Sequence, residues 1–309
     1  MKKLILILLL MILLVGCVKI PTFSKSKTQL SVGRGISMSF LPNSPPREIR
    51  GPFIVALEFI NHNPKEITGT LNLRDVTPYE GFDPINIPIF LEPAIIEYSD
   101  IQDPQTREFQ IKSYSPNGKI ENLGRIDYRG AETGATTQFI AEFDFPYSSN
   151  FNTQLCVASF GARQVSCPQQ EVISGQRLGF ENEFAPITAS VKKTATSTTP
   201  GQALINLEVE LRNVGGGEIK GSEFLMAELD MIGEGINFEC SSINAVQQSG
   251  NSFDIQLDAN KAIIDCFADV SFAGDLGIYN LYITLSYPYR LVTNTGVIKV
   301  QPTRISDIL

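Results

Sequence analysis

From residue 30 onward, apolar and polar positions alternate in short segments that turn residues separate. Ile36, Met38 and Phe40 are spaced by serines, and the apolar segment 53–60 is followed by Asn-His-Asn-Pro and a second alternating segment, 67–73. A period of two predicts half-buried β-strands. No long segment after residue 30 has helical periodicity, so the pattern predicts an all-β fold.

The same pattern predicts strands along the rest of the chain. Gly, Pro, Asn and Ser are frequent between them, and short strands joined in this way are typical of β-sandwiches and barrels. The further strands are predicted at residues 85–91, 108–113, 137–145, 154–160, 187–191, 203–213, 219–229, 262–272, 278–287 and 296–300.

Two short sequences recur, once in each half of the chain. EFINHNPKEITG (58–69) matches ELRNVGGGEIKG (210–221) at Glu, Asn, Glu, Ile and Gly, and FPYSSNFNTQL (145–155) matches YPYRLVTNTGV (287–297) at Pro, Tyr, Asn and Thr. Chance similarity between two hairpins is the alternative to a repeat. The recurrence predicts tandem β-sandwich domains at residues 30–168 and 185–303, a connector at 169–184 and a C-terminal tail at 304–309.

The first residues have a different pattern. Lys2 and Lys3 precede an unbroken apolar segment, 4–15, which ends at Gly16 and Cys17. A spanning helix needs about 20 apolar residues, so this segment is too short. A basic start and a short apolar segment are typical of a secretory signal. We expect a signal peptide at residues 1–16 and a polar tether at 17–29.

The end of this segment, Leu14-Val15-Gly16-Cys17, resembles the lipobox of prokaryotic lipoproteins. The resemblance implies cleavage between Gly16 and Cys17 and transfer of diacylglycerol to the Cys17 sulfur. One acyl chain binds a membrane only marginally, whereas two chains anchor a protein stably. The expected location is therefore extracytoplasmic and membrane-anchored, with membrane lipid as a partner through Cys17. An uncleaved signal anchor with an incidental cysteine is the alternative.

The other four cysteines, an even number, fit two disulfides in an exported protein. They are Cys156, Cys167, Cys240 and Cys266. Three pairings are possible, and we expect the local ones, Cys156–Cys167 and Cys240–Cys266, because each lies within one half. Each would add about 3 kcal/mol in the loop-entropy model. A zinc site is the competing interpretation, which the absence of CxxC spacing and the single histidine disfavour.

The hairpin pattern resembles a known class of module. In both halves a hydrophobic strand ends in Asn61 or Asn213, a tight turn follows, and Glu-Ile-x-Gly begins the next strand. This pattern resembles the immunoglobulin-like modules of prokaryotic surface proteins and is similar to CARDB-type adhesion-related modules. The resemblance implies an immunoglobulin-like fold for each half, and fold alone does not imply function.

Candidate chemical sites are sparse. His62, the only histidine, lies in a predicted turn and is expected to be solvated. Residues 215–217 are three glycines, but the lysine of a P-loop is missing after Gly221, so a hairpin turn with positive φ is expected. Calcium binding is one interpretation of the acidic residues, because calcium favours carboxylate ligands. These residues match no EF-hand pattern, and ordinary acidic loops are the alternative. The acidic residues are Asp75, Glu80, Asp83, Asp100, Asp103 and Glu108.

Carbohydrate binding has little support, since tryptophan is absent. Aromatic residues in loop-rich stretches are expected to serve in core or turn packing rather than as sugar platforms. They are Tyr79, Phe82, Tyr114 and Tyr128. The formal net charge of −8 argues against nucleic-acid partners, which need basic patches.

The sequence thus predicts a protein without a catalytic residue, a metal or a cofactor. We expect a binding or structural role at the cell surface or the periplasmic side: adhesion, envelope assembly or service as an accessory subunit. A protein partner or self-association through open strand edges would fit this role. The alternatives are an envelope hydrolase that uses carboxylates and a solute-binding lipoprotein.

Overall fold

Apolar and polar side chains alternate along the strands of the first half. The computed structural model describes residues 34–76, 81–102, 109–129, 135–161, 167–221, 224–232, 238–242, 245–249 and 251–301. Strands of the first half are β1 (Ile36–Phe40), β2 (Glu48–Ile49), β3 (Phe53–Asn61), β4 (Ile67–Asp75), β5 (Ile85–Leu91), β6 (Ile95–Gln102), β7 (Phe109–Ser115), β8 (Asn117–Ile126), β9 (Thr136–Thr137) and β10 (Phe139–Ala158).

The second half follows a short connecting segment. That segment holds β11 (Gln170–Ile173), a 3-10 helix (Gly175–Leu178) and the one-turn helix α1 (Glu181–Phe184). The strands that follow are β12 (Ile187–Thr199), β13 (Gln202–Asn213), β14 (Glu218–Ile219), β15 (Leu225–Ile232), β16 (Glu239–Ser241), β17 (Ala245–Ser249), β18 (Ser252–Ile255), β19 (Lys261–Ser271), β20 (Leu276–Asn294) and β21 (Ile298–Val300).

The predicted all-β class is confirmed, and the layers are those of a β-sandwich. Inward side chains of β3 meet inward side chains of β10, with Phe53 stacked on Phe139 and Phe59 packed edge-on to Phe143. The strictly alternating burial along β10 and β20 fits strands that cover a core with one face. Buried residues of both halves belong to one continuous hydrophobic cluster.

A single sheet contains strands from both halves of the chain. Its order is β17-β18-β15-β20-β10-β4-β5, and β14 also pairs with β20. The long strands β10 and β20 are antiparallel neighbours from Ile140↔Asn294 to Ala158↔Leu276. We call this the shared sheet. Two smaller sheets pack with it, β1-β3-β8 from the first half and β11-β12-β13-β19-β16 mainly from the second.

The prediction of two separate strands at 137–145 and 154–160 is wrong, because β10 continues through Pro146. Proline cannot donate a ladder hydrogen bond and is tolerated where a neighbouring strand is missing. The ladder between β4 and β10 ends at Asp144↔Thr70, so Pro146 lies beyond it. Pro288 lies opposite Pro146 and falls between the residues that pair with β14 and those that pair with β15.

The register of the long strands relates the two halves by an approximate twofold arrangement. Phe145 lies opposite Tyr289, and Tyr147 lies opposite Tyr287. In the sequence repeat, however, Phe145 corresponds to Tyr287 and Tyr147 to Tyr289. Phe145 therefore faces the counterpart of Tyr147, and Tyr147 faces the counterpart of Phe145, as in two like strands that cross a twofold axis at Pro146 and Pro288.

The strand that follows each of the long strands β10 and β20 pairs with strands of the opposite half. β11 follows β10 and pairs with β12, the first strand of the second half. β21 follows β20 and lies between β2 and β9 of the first half. Backbone hydrogen bonds from Lys299 to Arg47 (3.0 Å) and from Gln301 to Ile49 (2.9 Å) hold β21 in this place. We call this arrangement the reciprocal strand exchange.

The predicted domain boundary therefore does not separate two independent sheets. Residues Val32–Leu309 form one compact unit, and the segment predicted as the connector, 169–184, contributes β11 to the sheet of the second half. The division into domains at 30–168 and 185–303 stays a prediction. The predicted signal peptide (1–16), tether (17–29) and C-terminal tail (304–309) lie outside the described residues.

Candidate functional site

The repeat has a structural counterpart in two buried Asn–Tyr clusters. Asn61 donates from Nδ2 to the Lys65 carbonyl (2.8 Å), and Asn213 donates from Nδ2 to the Gly217 carbonyl (2.7 Å). Each bond closes the turn that follows the strand, with the same spacing along the chain. These clusters fix the hairpins β3–β4 and β13–β14.

A tyrosine of the shared sheet completes each cluster. The Tyr147 hydroxyl donates to Asn63 Oδ1 (2.7 Å), and the Tyr289 hydroxyl donates to Asn213 Oδ1 (2.7 Å). Burial raises the pKa of Tyr147 above its ordinary value and raises the pKa of Tyr289 to about 12. Both hydroxyls therefore keep their protons at neutral pH and act as structural donors.

His62 lies in the predicted turn, but it is half-buried rather than solvated. Its Nδ1 is 2.5 Å from the Tyr114 hydroxyl, and its backbone N–H donates to the Gly35 carbonyl (3.1 Å). Burial lowers the pKa of His62 below 6.5. The expectation of a solvated side chain failed because β7 brings Tyr114 over the turn, a contact between distant segments.

The three glycines at 215–217 form the turn before β14, as predicted. Their φ angles are not positive, so that part of the expectation is wrong. A Cβ at Gly215 would lie 2.5 Å from the Tyr289 hydroxyl oxygen, and one at Gly217 would collide with the Arg290 carbonyl oxygen. Close packing against β20 explains both glycines without a phosphate ligand.

The acidic residues are engaged within the protein where the structure describes their side chains. Asp75 is buried and accepts hydrogen bonds from the Tyr128 hydroxyl (2.7 Å) and from the Thr137 hydroxyl. Asp83 is paired with Arg129 (2.8 Å). Glu80, Asp103 and Glu108, and the side chain of Asp100, lie outside the described residues. Within the described part of the chain, no group of three metal-ligating side chains is found.

The aromatic residues pack as expected where they are described. Phe82 is buried edge-on against Phe139, Tyr128 contacts Phe139, and Tyr114 stacks on Phe184 of α1. Tyr79 lies outside the described residues. These packed rings offer no flat sugar-binding platform.

The structure brings the four cysteines together in the expected pairs. Cys156 is bonded to Cys167, with a Cα–Cα distance of 5.6 Å, and Cys240 to Cys266, with 4.0 Å. Cys240 and Cys266 are register partners on β16 and β19, so the second disulfide crosses two paired strands.

Lys193 closes the same loop as the first disulfide. Its side chain is fully buried, and Nζ donates to the carbonyls of Cys156 (2.6 Å) and Pro168 (3.0 Å). Nζ also lies 3.4 Å from Glu171 Oε1. No sequence pattern predicts this role, because a lysine in an alternating strand is ordinarily expected on the solvent face.

Charged side chains join strands on the outer face of the shared sheet. Arg290 donates from Nε and Nη2 to the two carboxylate oxygens of Asp144, at 2.6 and 2.9 Å. The Arg290 guanidinium holds the pKa of Asp144 below its usual value. This pair bridges β10 and β20 beside the crossing of the two halves, and sequence reasoning did not single it out.

Two cavities in the described part of the molecule are large enough for a small group. One, of about 360 Å³, lies beside Cys167 and is lined by Phe160, Gln169 and Ser197. The other, of about 270 Å³, is lined by Arg34, which precedes β1, and by residues of the connecting segment, β12 and β13. Four chain segments meet there, so no local motif in the sequence predicts it.

The predicted lipidation residue Cys17 and the predicted cleavage site at Gly16 lie outside the described residues. The part of the chain that the structure describes contains no helix long and apolar enough to cross a membrane.

No protein-family model matches the chain, and no curated protein matches it.

Proposed function

We propose that this chain is a membrane-anchored extracytoplasmic lipoprotein with a binding or structural role. The observation that carries the proposal is the division of its five cysteines. Four are bonded in two pairs, and the fifth, Cys17, directly follows a basic and apolar N-terminal segment. Disulfides persist in oxidising compartments, and a thiol left over at this position is the acceptor that lipid attachment requires.

A binding role fits the broad sheet faces. Apolar side chains stand exposed on outer faces, including Met226 and Ile278 on the shared sheet and Leu204 and Phe267 on the smaller sheet of the second half. The charged groups described above are paired within the molecule and offer no acid–base pair facing a cleft. These features support contact with another macromolecule better than hydrolysis or solute capture.

Open strand edges offer a second kind of contact. The shared sheet ends in β5 and β17. Pro88 in the middle of β5 removes one backbone donor, which weakens strand addition at that edge. β17 contains no proline, so a partner strand or a second copy would pair there. This route requires a concentration-dependent assembly, and a protein that stays monomeric at high concentration contradicts it.

The anchor is tested by the intact mass of the native protein extracted from membranes. We expect a chain that begins at Cys17 and carries added lipid mass, and a gain of about four hydrogens on reduction, two for each disulfide. Cys17→Ser should abolish the lipid mass and release the protein from membranes. The matched control Cys240→Ala removes a paired cysteine and should keep the lipid. A wild-type mass that retains residues 1–16 without lipid would overturn the proposal.

A further inference from the structure

The cavity of about 270 Å³ has a polar lining that no feature of the proposed function uses. Its walls include Arg34, Arg212 and the hydroxyl side chains of Ser174, Thr188 and Ser190. Thr188 and Ser190 lie on β12, opposite Arg212 and Glu210 of β13. Arg34 and Ser174 reach the cavity from the segment just before β1 and from the connecting segment.

The backbone around Arg34 is held by several hydrogen bonds. Gly35, the next residue, donates its N–H to the Phe184 carbonyl (2.7 Å) and accepts from Asn63 Nδ2 (2.9 Å). The Arg34 Nη1 lies 3.5 Å from the Asn182 carbonyl oxygen. The cavity is therefore assembled in the folded protein before any ligand arrives, which lowers the entropic cost of binding.

The connecting segment is fixed just as firmly. The buried Asn182 side chain donates to the carbonyls of Gly175 (3.2 Å) and Ala189 (3.0 Å) and accepts from the Ala189 N–H (2.8 Å). These bonds tie the loop that carries Ser174 to strand β12. The loop that carries Ser174 and the strand β12 therefore keep their relative positions without a ligand.

The lining has an excess of positive charge. Glu210, the one carboxylate among the lining residues, is already bonded to Arg212 and to Lys261 (2.8 Å). These bonds hold the pKa of Glu210 below its usual value, so it stays ionised and compensated. Among the residues that the structure describes, Arg34 has no carboxylate partner. This is an unusual site in a protein with a net charge of −8.

We propose that this cavity binds a phosphate group, either free or as a phosphate ester. Guanidinium groups bind phosphate oxygens in a fork geometry, and here Arg34 and Arg212 line one cavity together with Ser174 and Ser190. Thr188 also lines it, with its hydroxyl 3.5 Å from the Arg212 carbonyl oxygen, and Arg212 remains paired with Glu210 through Nε. A carboxylate has only two oxygens to accept such bonds, whereas a phosphate has three or four. Ser174 and Ser190 make no side-chain hydrogen bond within the described residues, so both are available as donors.

Two sources supply the same chemistry. Residues 18–33 separate Arg34 from Cys17, and an extended chain spans about 3.3–3.6 Å per residue. A lipid headgroup would be within reach of the cavity if Cys17 is anchored. A soluble phosphate ester offers the same oxygens. All the binding groups belong to the folded unit Val32–Leu309, so the inference does not rest on the proposed anchor.

Calorimetric titration tests the site on the chain from residue 17 onward with Cys17→Ser. The probes are inorganic phosphate, glycerol 3-phosphate and dihexanoyl phosphatidylglycerol below its micelle concentration, each at constant ionic strength set with sodium chloride. We expect saturable binding of at least one probe, weakened about tenfold or more by Arg34→Gln and by Arg212→Gln. Tighter binding of the lipid than of glycerol 3-phosphate assigns the site to a membrane headgroup, and the reverse assigns it to a soluble ester.

The matched control is Arg125→Gln, which removes an exposed arginine that is paired with Asp127 far from the lining residues. It should leave the affinity unchanged. Circular dichroism of each variant checks that the fold is kept, and Arg34→Lys, which keeps the charge, should retain part of the affinity. Absence of saturable binding by all three probes, or equal affinities of Arg34→Gln and Arg125→Gln, would overturn the inference.

Discussion

At the scale of the residue, buried polar side chains make the contacts that are most specific for one arrangement of the strands. Asn61, Asn63, Asn182 and Lys193 are almost completely buried, and each has hydrogen-bond partners on other segments. A buried polar group that loses its partner costs about 1–3 kcal/mol. These residues therefore penalise alternative strand arrangements that apolar side chains alone would tolerate.

The Tyr147–Asn63 bond gives the first prediction. Tyr147→Phe removes the hydroxyl that satisfies Asn63 Oδ1, and both residues are buried. We expect the free energy of unfolding to fall by about 1–3 kcal/mol in urea titrations. The control Tyr282→Phe, at an exposed position of the neighbouring strand, should change it by less than about 0.5 kcal/mol. Equal effects of the two substitutions on the free energy of unfolding would show that the Tyr147 hydroxyl has no structural role.

His62 gives a prediction about pH. Burial lowers its pKa in the folded protein, whereas in the unfolded chain it titrates near 6.5. As the pH falls through 6.5, the unfolded state binds a proton that the folded state does not bind. The stabilisation is therefore complete above 6.5 and is lost as the pH falls toward the folded-state pKa.

The measurement compares urea unfolding at about pH 7.5 and about pH 5.5. Wild-type protein should lose more stability over this interval than His62→Gln, which keeps a polar side chain but cannot titrate. Carboxylates contribute equally to both proteins, so the difference belongs to His62. Identical losses in the two proteins would contradict the assignment.

At the scale of the element, side-chain alternation predicted strands where one face is apolar. β1, β3, β4 and β5 were predicted within about two residues of their ends, because their inward positions are mostly Ile, Leu and Phe. β8 was missed, since its sequence NGKIENLGRI is polar along most of its length. That strand forms because it pairs with β3, and the sequence of one strand does not indicate which strand will lie beside it.

The long strand β10 was predicted as two separate strands for a related reason. Pro146 and the polar segment after it indicate a loop when they are considered alone. The strand continues because β20 supplies a partner with its own proline at the matching position. Sequence repeats had identified both segments, but they do not tell that the two copies pair with each other.

The short strand β21 gives a prediction at this scale. Ile298 is buried although it lies at the end of the second half, because β21 sits between β2 and β9. Ile298→Ala should cost about 2–5 kcal/mol. Hydrogen exchange should also become faster in the first-half strands β2 and β9. The neighbouring Val297→Ala, at an exposed position, should cost less than about 0.5 kcal/mol and leave exchange unchanged.

At the scale of the whole molecule, the sequence predicted the all-β class and the likeness of the two halves. It did not predict their exchange of strands. Residues that form the cavity at Arg34 come from four segments, and the Asp144–Arg290 pair joins strands that are far apart in the chain. Such sites depend on which strands of the two halves pair with each other. The alternation of apolar and polar residues within one strand does not indicate its partner.

The shared sheet predicts that the two halves unfold together. β10 and β20 pair along nearly their whole lengths, and each half contributes strands to the other. Calorimetry should give one transition, and core substitutions in either half, Leu71→Ala or Leu229→Ala, should lower the same transition temperature. Both leucines are buried and belong to different halves. Two resolved transitions, each sensitive to one substitution only, would establish independent domains instead.

The reciprocal strand exchange also determines the order in which parts of the protein can fold during synthesis. A ribosome makes the N-terminal half first, and domains commonly fold as they emerge. Here the sheet that contains β2 and β9 receives its middle strand from residues 298–300, which are made after all the other strands named above. The first half therefore cannot finish folding until β21 has been made. Until then it remains incomplete and able to pass through a narrow channel as an unfolded chain.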